Sequence, residues 1–188
     1  MIFGMNVTFM KRFFLILMCL LTFTTATLSA SELYLLPEDS KKALSTLLKS
    51  IDHSKKSIKI MIYNFTHKKI AKRLKVAAKR GVKVEIIFDK RNSAEDRKRS
   101  MLYFLAKYKN IFVYKLRGKY IKKQDRYGIM HLKSAVFDHK RVIFGSANWT
   151  YSAFGKNYEM LYVEDNYAVA KKFEKYFRRL KQKSTPFK

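Results

Sequence analysis

Three side chains that can act on a phosphate group occur in a fixed pattern in the last third of the chain. His131 precedes Lys133 by two positions, and Asn148 ends the tetrapeptide Gly-Ser-Ala-Asn. A histidine can serve as a nucleophile or a general acid near neutral pH, while lysine and asparagine can hold phosphoryl oxygens as negative charge develops. The pattern therefore indicates displacement chemistry at phosphorus.

The residues around this pattern predict how the side chains are held. A strand over 130–137 would point His131 and Lys133 to the same face, with their Cα atoms roughly 7 Å apart. One phosphate could then touch both side chains. Gly145 and Ser146 precede Asn148 and suit a close backbone approach, because glycine has no Cβ atom and serine forms local hydrogen bonds.

The complete spacing resembles the signature of the phospholipase D superfamily of phosphodiesterases. It runs His131, one residue, Lys133, four residues, Asp138, six residues, and then Gly-Ser-x-Asn ending at Asn148. The order of predicted strands and helices over 31–183 is similar to that of the small bacterial endonucleases of this superfamily, which carry one motif per chain. Larger members carry two copies, and this chain has one.

The resemblance implies a two-fold homodimer in which two copies of the motif meet at one phosphate. One His131 would attack phosphorus to form a phosphohistidine, and the second would protonate the leaving oxygen and later activate water. Lys133 and Asn148 of both copies would hold the non-bridging oxygens. Glu159 lies near the position of a family carboxylate that orients the histidine ring, with an exposed strand carboxylate as the alternative. Asp138 belongs to the motif, but its ordinary interpretation is a scaffold residue that bonds turn amides.

The sequence offers no pattern typical of a metal site. It has no pair of histidines at helical spacing with an acid, no cysteine cluster and no concentration of carboxylates for two divalent ions. Lysine and asparagine side chains would neutralise the phosphate charge instead. We therefore expect a reaction that needs neither a metal ion nor another cofactor.

Charge points to a polyanionic partner. Forty-one Lys and Arg residues against fourteen Asp and Glu residues give a net charge of +27, spread over the whole chain. Such a field concentrates nucleic acid or draws the protein to an anionic membrane surface. A generally basic surface that serves only solubility is the alternative.

A basic segment with interleaved aromatic residues precedes the motif and favours single-stranded DNA. Cationic side chains track a phosphate backbone and aromatic faces stack on unpaired bases, although core packing or a dimer contact is the alternative for the aromatics. Duplex DNA and RNA stay open as substrates. The candidate nucleic-acid-binding residues are Arg117, Lys119, Tyr120, Lys122, Lys123, Arg126, Tyr127 and Trp149.

Two other functions fit the same residues. The single-motif architecture also resembles the cardiolipin-cleaving branch of the superfamily, and a positive surface near a membrane suits an anionic lipid. A non-catalytic protein that captures DNA outside the cytoplasm is the second alternative, although every motif residue for catalysis is present.

The first thirty residues form a separate unit. Lys11 and Arg12 precede an apolar run over 13–23, and 24–30 is small and polar, the order found in a secretory signal with cleavage after Ala30. A membrane anchor over residues 13–30 is the alternative. Either form predicts an exported protein, in the periplasm or on the outer face of a bacterial membrane. Cys19, the only cysteine, lies in this segment, so the mature chain would hold no disulfide.

The rest of the chain, 31–188, predicts a single α/β domain. Apolar runs of strand length alternate with segments whose apolar residues recur at helical spacing. This alternation favours a layered α/β/α sandwich around a mixed, largely buried sheet. One helix is predicted over 92–108, opened by a capping box between Asn92 and Glu95. Another is predicted over 167–182, with Val169, Phe173, Tyr176, Phe177 and Leu180 facing inward.

Overall fold

The computed structural model of the chain describes residues 31–95 and 98–187. The predicted secretory signal, the alternative membrane anchor and Cys19 lie outside the described residues. Within the described part, no helix combines the length and the apolar composition needed to cross a membrane.

Strands and helices alternate along the chain. The first half contains β1 (Ser31–Leu36), α1 (Ser40–His53), β2 (Ser57–Ile62), α2 (Lys68–Lys79), β3 (Lys83–Asp89), and the short helices α3 (Lys90–Glu95) and α4 (Leu102–Leu105). The second half contains β4 (Ile111–Leu116), β5 (Tyr120–Ile121), β6 (Arg126–Tyr127), β7 (Lys133–Phe137), β8 (Arg141–Gly145), β9 (Glu159–Asp165), α5 (Tyr167–Gln182) and β10 (Thr185–Phe187). A 3-10 turn over Lys122–Gln124 joins β5 to β6.

The main sheet is mixed and runs in the order β1-β9-β8-β7-β2-β3-β4-β10. Strands β2, β3 and β4 are parallel, and the other neighbours are antiparallel. Helices α1 and α2 cover one face, where Ile58, Ile60 and Ile62 are buried, while Met61 points to the other face and packs against Phe177 of α5. The predicted α/β/α sandwich is confirmed.

The prediction of one helix over 92–108 is wrong, because the chain forms the two short helices α3 and α4 with a break between them. Asp89, at the end of β3, accepts hydrogen bonds from the N–H groups of Arg91 at 3.1 Å and Asn92 at 2.9 Å. Asp89 therefore caps this segment, and Asn92 lies inside α3 instead of before it. Strand β10 was not expected, since a sequence containing Pro186 is a weak strand signal except at a sheet edge.

Helix α5 has the predicted bounds but a shifted buried face. The Asn166 side chain accepts hydrogen bonds from the N–H groups of Ala168 and Val169 and so caps the helix. Tyr176 is 40% exposed, and Glu174 is buried in its place. Burial of Glu174 is tolerated because its carboxylate pairs with Lys59 at 2.5 Å and with His139 at 2.8 Å.

Candidate active site

His131 and Lys133 lie at the beginning of β7, in the middle of the sheet. The strand begins at Lys133, so His131 belongs to the extended segment before it and the strand predicted over 130–137 starts too early. The N–H of Tyr63 donates to the carbonyl of Leu132 at 2.9 Å, which ties this segment to the end of β2. Lys133 is 7% exposed and its Nζ donates to the His131 carbonyl at 2.8 Å, while the His131 side chain is exposed.

Tyr63 is a site residue that the sequence interpretation missed. Its ring meets the His131 ring edge-to-face, with 4.7 Å between the centroids, and Lys133 Nζ lies 5.2 Å from the Tyr63 centroid. One aromatic ring therefore contacts both the His131 imidazole and the Lys133 ammonium. The signal that could have identified Tyr63 is its position directly after a buried strand that pairs with the motif strand.

Asn64 attaches the Asn148 half of the motif to the segment after β2, next to Tyr63, which bonds the His131 half. The N–H of Asn64 donates to Asn148 Oδ1 at 3.2 Å, and its carbonyl accepts a hydrogen bond from the Trp149 N–H at 3.1 Å. Because Oδ1 accepts this hydrogen bond, the amide NH₂ group of Asn148 is left to donate to a ligand oxygen. Asn64 was also missed, since nothing in its local sequence links it to the motif.

Glu159 and Ser146 form a polar pair at the start of β9. Ser146 Oγ donates to Glu159 Oε2 at 2.5 Å, and Asn157 Nδ2 donates to Glu159 Oε1 at 3.4 Å. The expected role of Glu159 was to orient the His131 ring, but within the described residues its carboxylate bonds Ser146 and Asn157. A Cβ atom on Gly145 would lie 2.1 Å from the Met160 carbonyl oxygen. The glycine is therefore required by the approach of β9, whereas a close approach to a ligand was expected.

The surroundings of His131 favour its neutral form. Partial burial and the neighbouring Lys133 ammonium lower the pKa of His131, against the opposing charges of Asp89 and Glu159. Burial also lowers the pKa of Lys133, and Glu159 opposes that shift. A neutral imidazole beside an ammonium group is the combination that a nucleophile at phosphorus needs.

Asp89 supports the segment that carries His131. It is 1% exposed, and its Oδ2 accepts a hydrogen bond from the Met130 N–H at 2.8 Å. The carboxylate thus links the end of β3 to the residue before His131. The sequence gives only a weak signal for this role, an aspartate at the end of a buried strand.

Comparisons with known proteins agree with this geometry. The family described as "Cardiolipin synthase, PLD-like domain" matches residues 47–181. The chain belongs to the phospholipase D-like family. Among solved structures, NucT from Helicobacter pylori is 38% identical with a TM-score of 0.82, covering 85% of this chain and 99% of that chain. Nuc from Salmonella typhimurium, a phospholipase D family member, is 28% identical with a TM-score of 0.71 and the same coverage of 85% and 99%.

A curated relative represents another branch of the phospholipase D-like family. The mitochondrial cardiolipin hydrolase of Xenopus laevis is 28% identical over 144 residues, which are 77% of this chain and 63% of that protein. The chain therefore spans less than two thirds of the length of that relative. The predicted superfamily, its fold and its class, a phosphodiesterase that is a hydrolase, are confirmed.

The aspartate of the phospholipase D-like motif lies at the opposite end of β7 from His131. Asp138 accepts hydrogen bonds from the N–H groups of Lys55 at 2.7 Å, Lys56 at 2.8 Å and Ser57 at 2.9 Å. The chain from His131 to Asp138 rises through seven residue steps, roughly 23 Å at about 3.3 Å per step. Asp138 therefore holds the connection between α1 and β2, where the amides of its own turn were expected, and this position argues against a direct catalytic role for this member of the motif.

Trp149 is a core residue, so its assignment to nucleic-acid binding is wrong. Its side chain is 1% exposed and packs edge-to-face on Phe65, with 5.1 Å between ring centroids. The backbone explains this, because the N–H groups of Thr66 and His67 both donate to the Trp149 carbonyl and draw the residue inward. An indole with no exposed face has no surface on which a base could stack.

The other candidate nucleic-acid-binding residues lie on or beside the small hairpin β5–β6. Tyr120 and Tyr127 are paired across it, with 5.0 Å between their rings and nearly half of each side chain exposed. The Arg117 guanidinium lies 4.9 Å from the Tyr127 centroid. Arg117, Lys119 and Tyr127 line a groove of about 920 Å³ that also contains His131. Lys122, Lys123 and Arg126 are exposed outside that groove.

Metal-ligating side chains do not gather anywhere in the described part of the chain. No group of three or more histidine, cysteine, aspartate or glutamate residues there is placed to hold a metal ion.

Proposed function

We propose that this phosphodiesterase is a metal-independent, non-specific endonuclease that acts on DNA, favours single strands and forms a phosphohistidine on His131. One observation carries the proposal: His131, with a lowered pKa, stands beside the Lys133 ammonium at the wall of a groove that the basic hairpin also lines. Such a groove suits a chain of phosphates, since cations along it can contact several of them.

The reaction has two displacements. His131 attacks phosphorus, a P–N bond forms, and the P–O bond to the leaving sugar oxygen breaks as a second histidine gives that oxygen a proton. Water then attacks the phosphohistidine, the second histidine takes its proton, and the P–N bond breaks. Lys133 Nζ and the amide of Asn148 hold the non-bridging oxygens in both steps.

The second histidine in this mechanism is His131 of another copy of the chain. An exposed apolar patch beside the site supports a homodimer, because exposed apolar surface of this kind typically marks an interface. The patch borders Glu159 and Ser146 along the paired strands β1 and β9, and Tyr158 in it is 87% exposed. Its apolar members are Leu33, Leu35, Tyr158 and Met160.

A circular single-stranded DNA incubated with the protein in EDTA tests the function. We expect linearisation followed by degradation, and loss of roughly a thousandfold or more of the rate in His131→Ala. His53→Ala is the matched control, because His53 is an exposed histidine in the last turn of α1. Intact circles with the wild-type protein, or equal loss in both variants, would contradict the proposal. Equal rates on single-stranded and duplex DNA at one salt concentration would remove the strand preference.

Hydrolysis of cardiolipin is the second candidate function, favoured by the similarity to the mitochondrial cardiolipin hydrolase. Release of phosphatidic acid from cardiolipin vesicles, with DNA left intact, would establish it in place of the nuclease. Tight, salt-sensitive DNA binding without cleavage of either substrate would instead indicate a DNA-capturing protein.

Export completes the proposal. The order of charged, apolar and small polar residues in the first thirty positions supports export to the periplasm or the outer face of the membrane. Fractionation of cells that produce the full chain tests it, and recovery from the cytoplasm alone would contradict it. Release of the exported protein without detergent separates a cleaved signal from an anchor over residues 13–30.

A further inference from the structure

The groove beside His131 has a second wall that neither the motif nor the hairpin supplies. Tyr176 and Leu180 of α5, then Lys183, then Thr185 of β10 line it. Strand β10 pairs antiparallel with β4 and sets Thr185 opposite Lys115, which lines the groove as well. The segment 183–187 thus builds a side of the groove at the edge of the sheet.

The charges of this groove are of one sign. Its cationic lining residues are not members of any ion pair among the described residues, and no carboxylate of those residues lines it. Lys115 Nζ lies 4.6 Å from the Phe187 centroid, so it is held by an aromatic face, as is Arg117 on Tyr127. An aromatic face does not neutralise a cation, so these side chains can still attract an anion. A bound anion would also reduce the repulsion between the cations of the groove. The cationic residues that line the groove are Lys90, Lys115, Arg117, Lys119 and Lys183.

We propose that this second wall is an accessory track for the sugar-phosphate backbone of a single strand, in which Lys115 and Lys183 contact phosphates beyond the one at His131. The inference rests on the proposed nuclease function and adds to it, because it makes a polymer the preferred ligand. Tyr176 offers a partly exposed ring in the same groove for an unpaired base. A dinucleotide is too short to reach several of these cations at once.

Oligonucleotide binding at varied salt tests the track. In a His131→Ala background that prevents cleavage, Lys115→Gln combined with Lys183→Gln should weaken binding of a labelled strand of about 20 nucleotides roughly tenfold. The plot of log K against log salt should become less steep by about 1.4, since each lost phosphate contact on a single strand removes about 0.7. In the background with His131 present, the ratio of kcat/KM for this strand to that for a dinucleotide should fall.

The matched control removes two lysines from the opposite layer. Lys42→Gln combined with Lys49→Gln changes exposed residues of α1, on the other face of the sheet from α5, and should leave the slope near that of the parent. Equal slopes for the two double variants, with unchanged thermal midpoints, would overturn the track. Weaker binding to cardiolipin vesicles without any change for the oligonucleotide would also overturn it, in favour of a lipid.

The two proposals fail separately. Wild-type protein that degrades single-stranded DNA while Lys115→Gln with Lys183→Gln keeps the full salt slope refutes the track and leaves the nuclease standing. Wild-type protein that leaves DNA intact refutes the nuclease, and with it the role of the track in presenting a substrate.

Discussion

The two ends of strand β7 carry parts of one motif and are built in opposite ways. At the Asp138 end, a carboxylate is bonded by three backbone N–H groups. At the His131 end, an exposed imidazole touches the Tyr63 ring, and a buried ammonium donates to a carbonyl. The first arrangement satisfies its charge within the fold, whereas the second leaves charge and hydrogen-bonding capacity for a ligand. A spacing signature thus contains both chemical and structural residues, and only the contacts separate them.

After the loss of His131 itself, replacement of Lys133 should have the largest effect on catalysis at the His131 end of β7. We expect Lys133→Met to lower kcat by roughly a hundredfold to a thousandfold, because the ammonium that stabilises phosphoryl charge is lost. Folding stability should change little, since burial already disfavours the charged form of this lysine. Lys140→Met, in the exposed turn at the other end of β7, is the control for kcat and for the thermal midpoint. A kcat equal to that of this control would remove Lys133 from the reaction.

Replacement of Asp138 should have the opposite signature. We expect Asp138→Ala to lower the free energy of unfolding by about 2 kcal/mol, because three N–H groups, of which that of Ser57 is partly buried, lose a charged acceptor. Activity per folded molecule should be kept. Asp52→Ala, which removes a surface ion pair with Arg73, should lose less than about 1 kcal/mol. Denaturant titration measures the loss of stability, and kcat per folded molecule measures the effect on catalysis. A loss of kcat without a loss of stability would place Asp138 in the reaction.

The stabilisation by Asp138 should also depend on pH in a defined direction. Partial burial acts to raise the pKa of Asp138, but the three N–H groups and the nearby His139 hold it below its usual value. A carboxyl with a depressed pKa stabilises the fold above its unfolded pKa of about 3.9 and loses that effect as the pH falls through the folded value. Unfolding curves of the wild type and Asp138→Ala should therefore converge below about pH 4.

Local pattern was enough for the sandwich and for the core of the site, but not for residues defined by distant contacts. The periodicity of α1, α2 and α5 and the apolar strands carry their own signal. Asn64 and Asp89 act through hydrogen bonds to residues 84 and 41 positions away, which no local pattern encodes. Trp149 was misread for the same reason, since its burial follows from pairing with the segment after β2. A helix starting at Asn92 was also mispredicted, because Asp89 and not Asn92 caps the segment that follows β3.

Removal of the Tyr63 ring should have an intermediate effect at the His131 end. We expect Tyr63→Leu to lower kcat about tenfold, because His131 and Lys133 both lose the ring they contact. Water would replace the ring, so the pKa of His131 should rise toward its ordinary value and the acid limb of kcat/KM should move to higher pH. Tyr63→Phe keeps the ring and should restore both readouts. A Leu variant with a wild-type pH profile would limit Tyr63 to packing.

Neutralisation of Glu159 should have the smallest effect and the opposite sign. Its carboxylate acts to raise the pKa of His131, so Glu159→Gln should lower that pKa further. Because neutral His131 is the attacking form, the acid limb of kcat/KM should move to lower pH by a fraction of a unit. The amide can still accept the Ser146 hydrogen bond, which makes a large change in kcat unexpected. A shift to higher pH, as for Tyr63→Leu, would mean that the carboxylate acts by shaping the site. A shift to lower pH would mean that the carboxylate acts through its charge. The pKa of His131 would then be set in part by a residue at the start of β9.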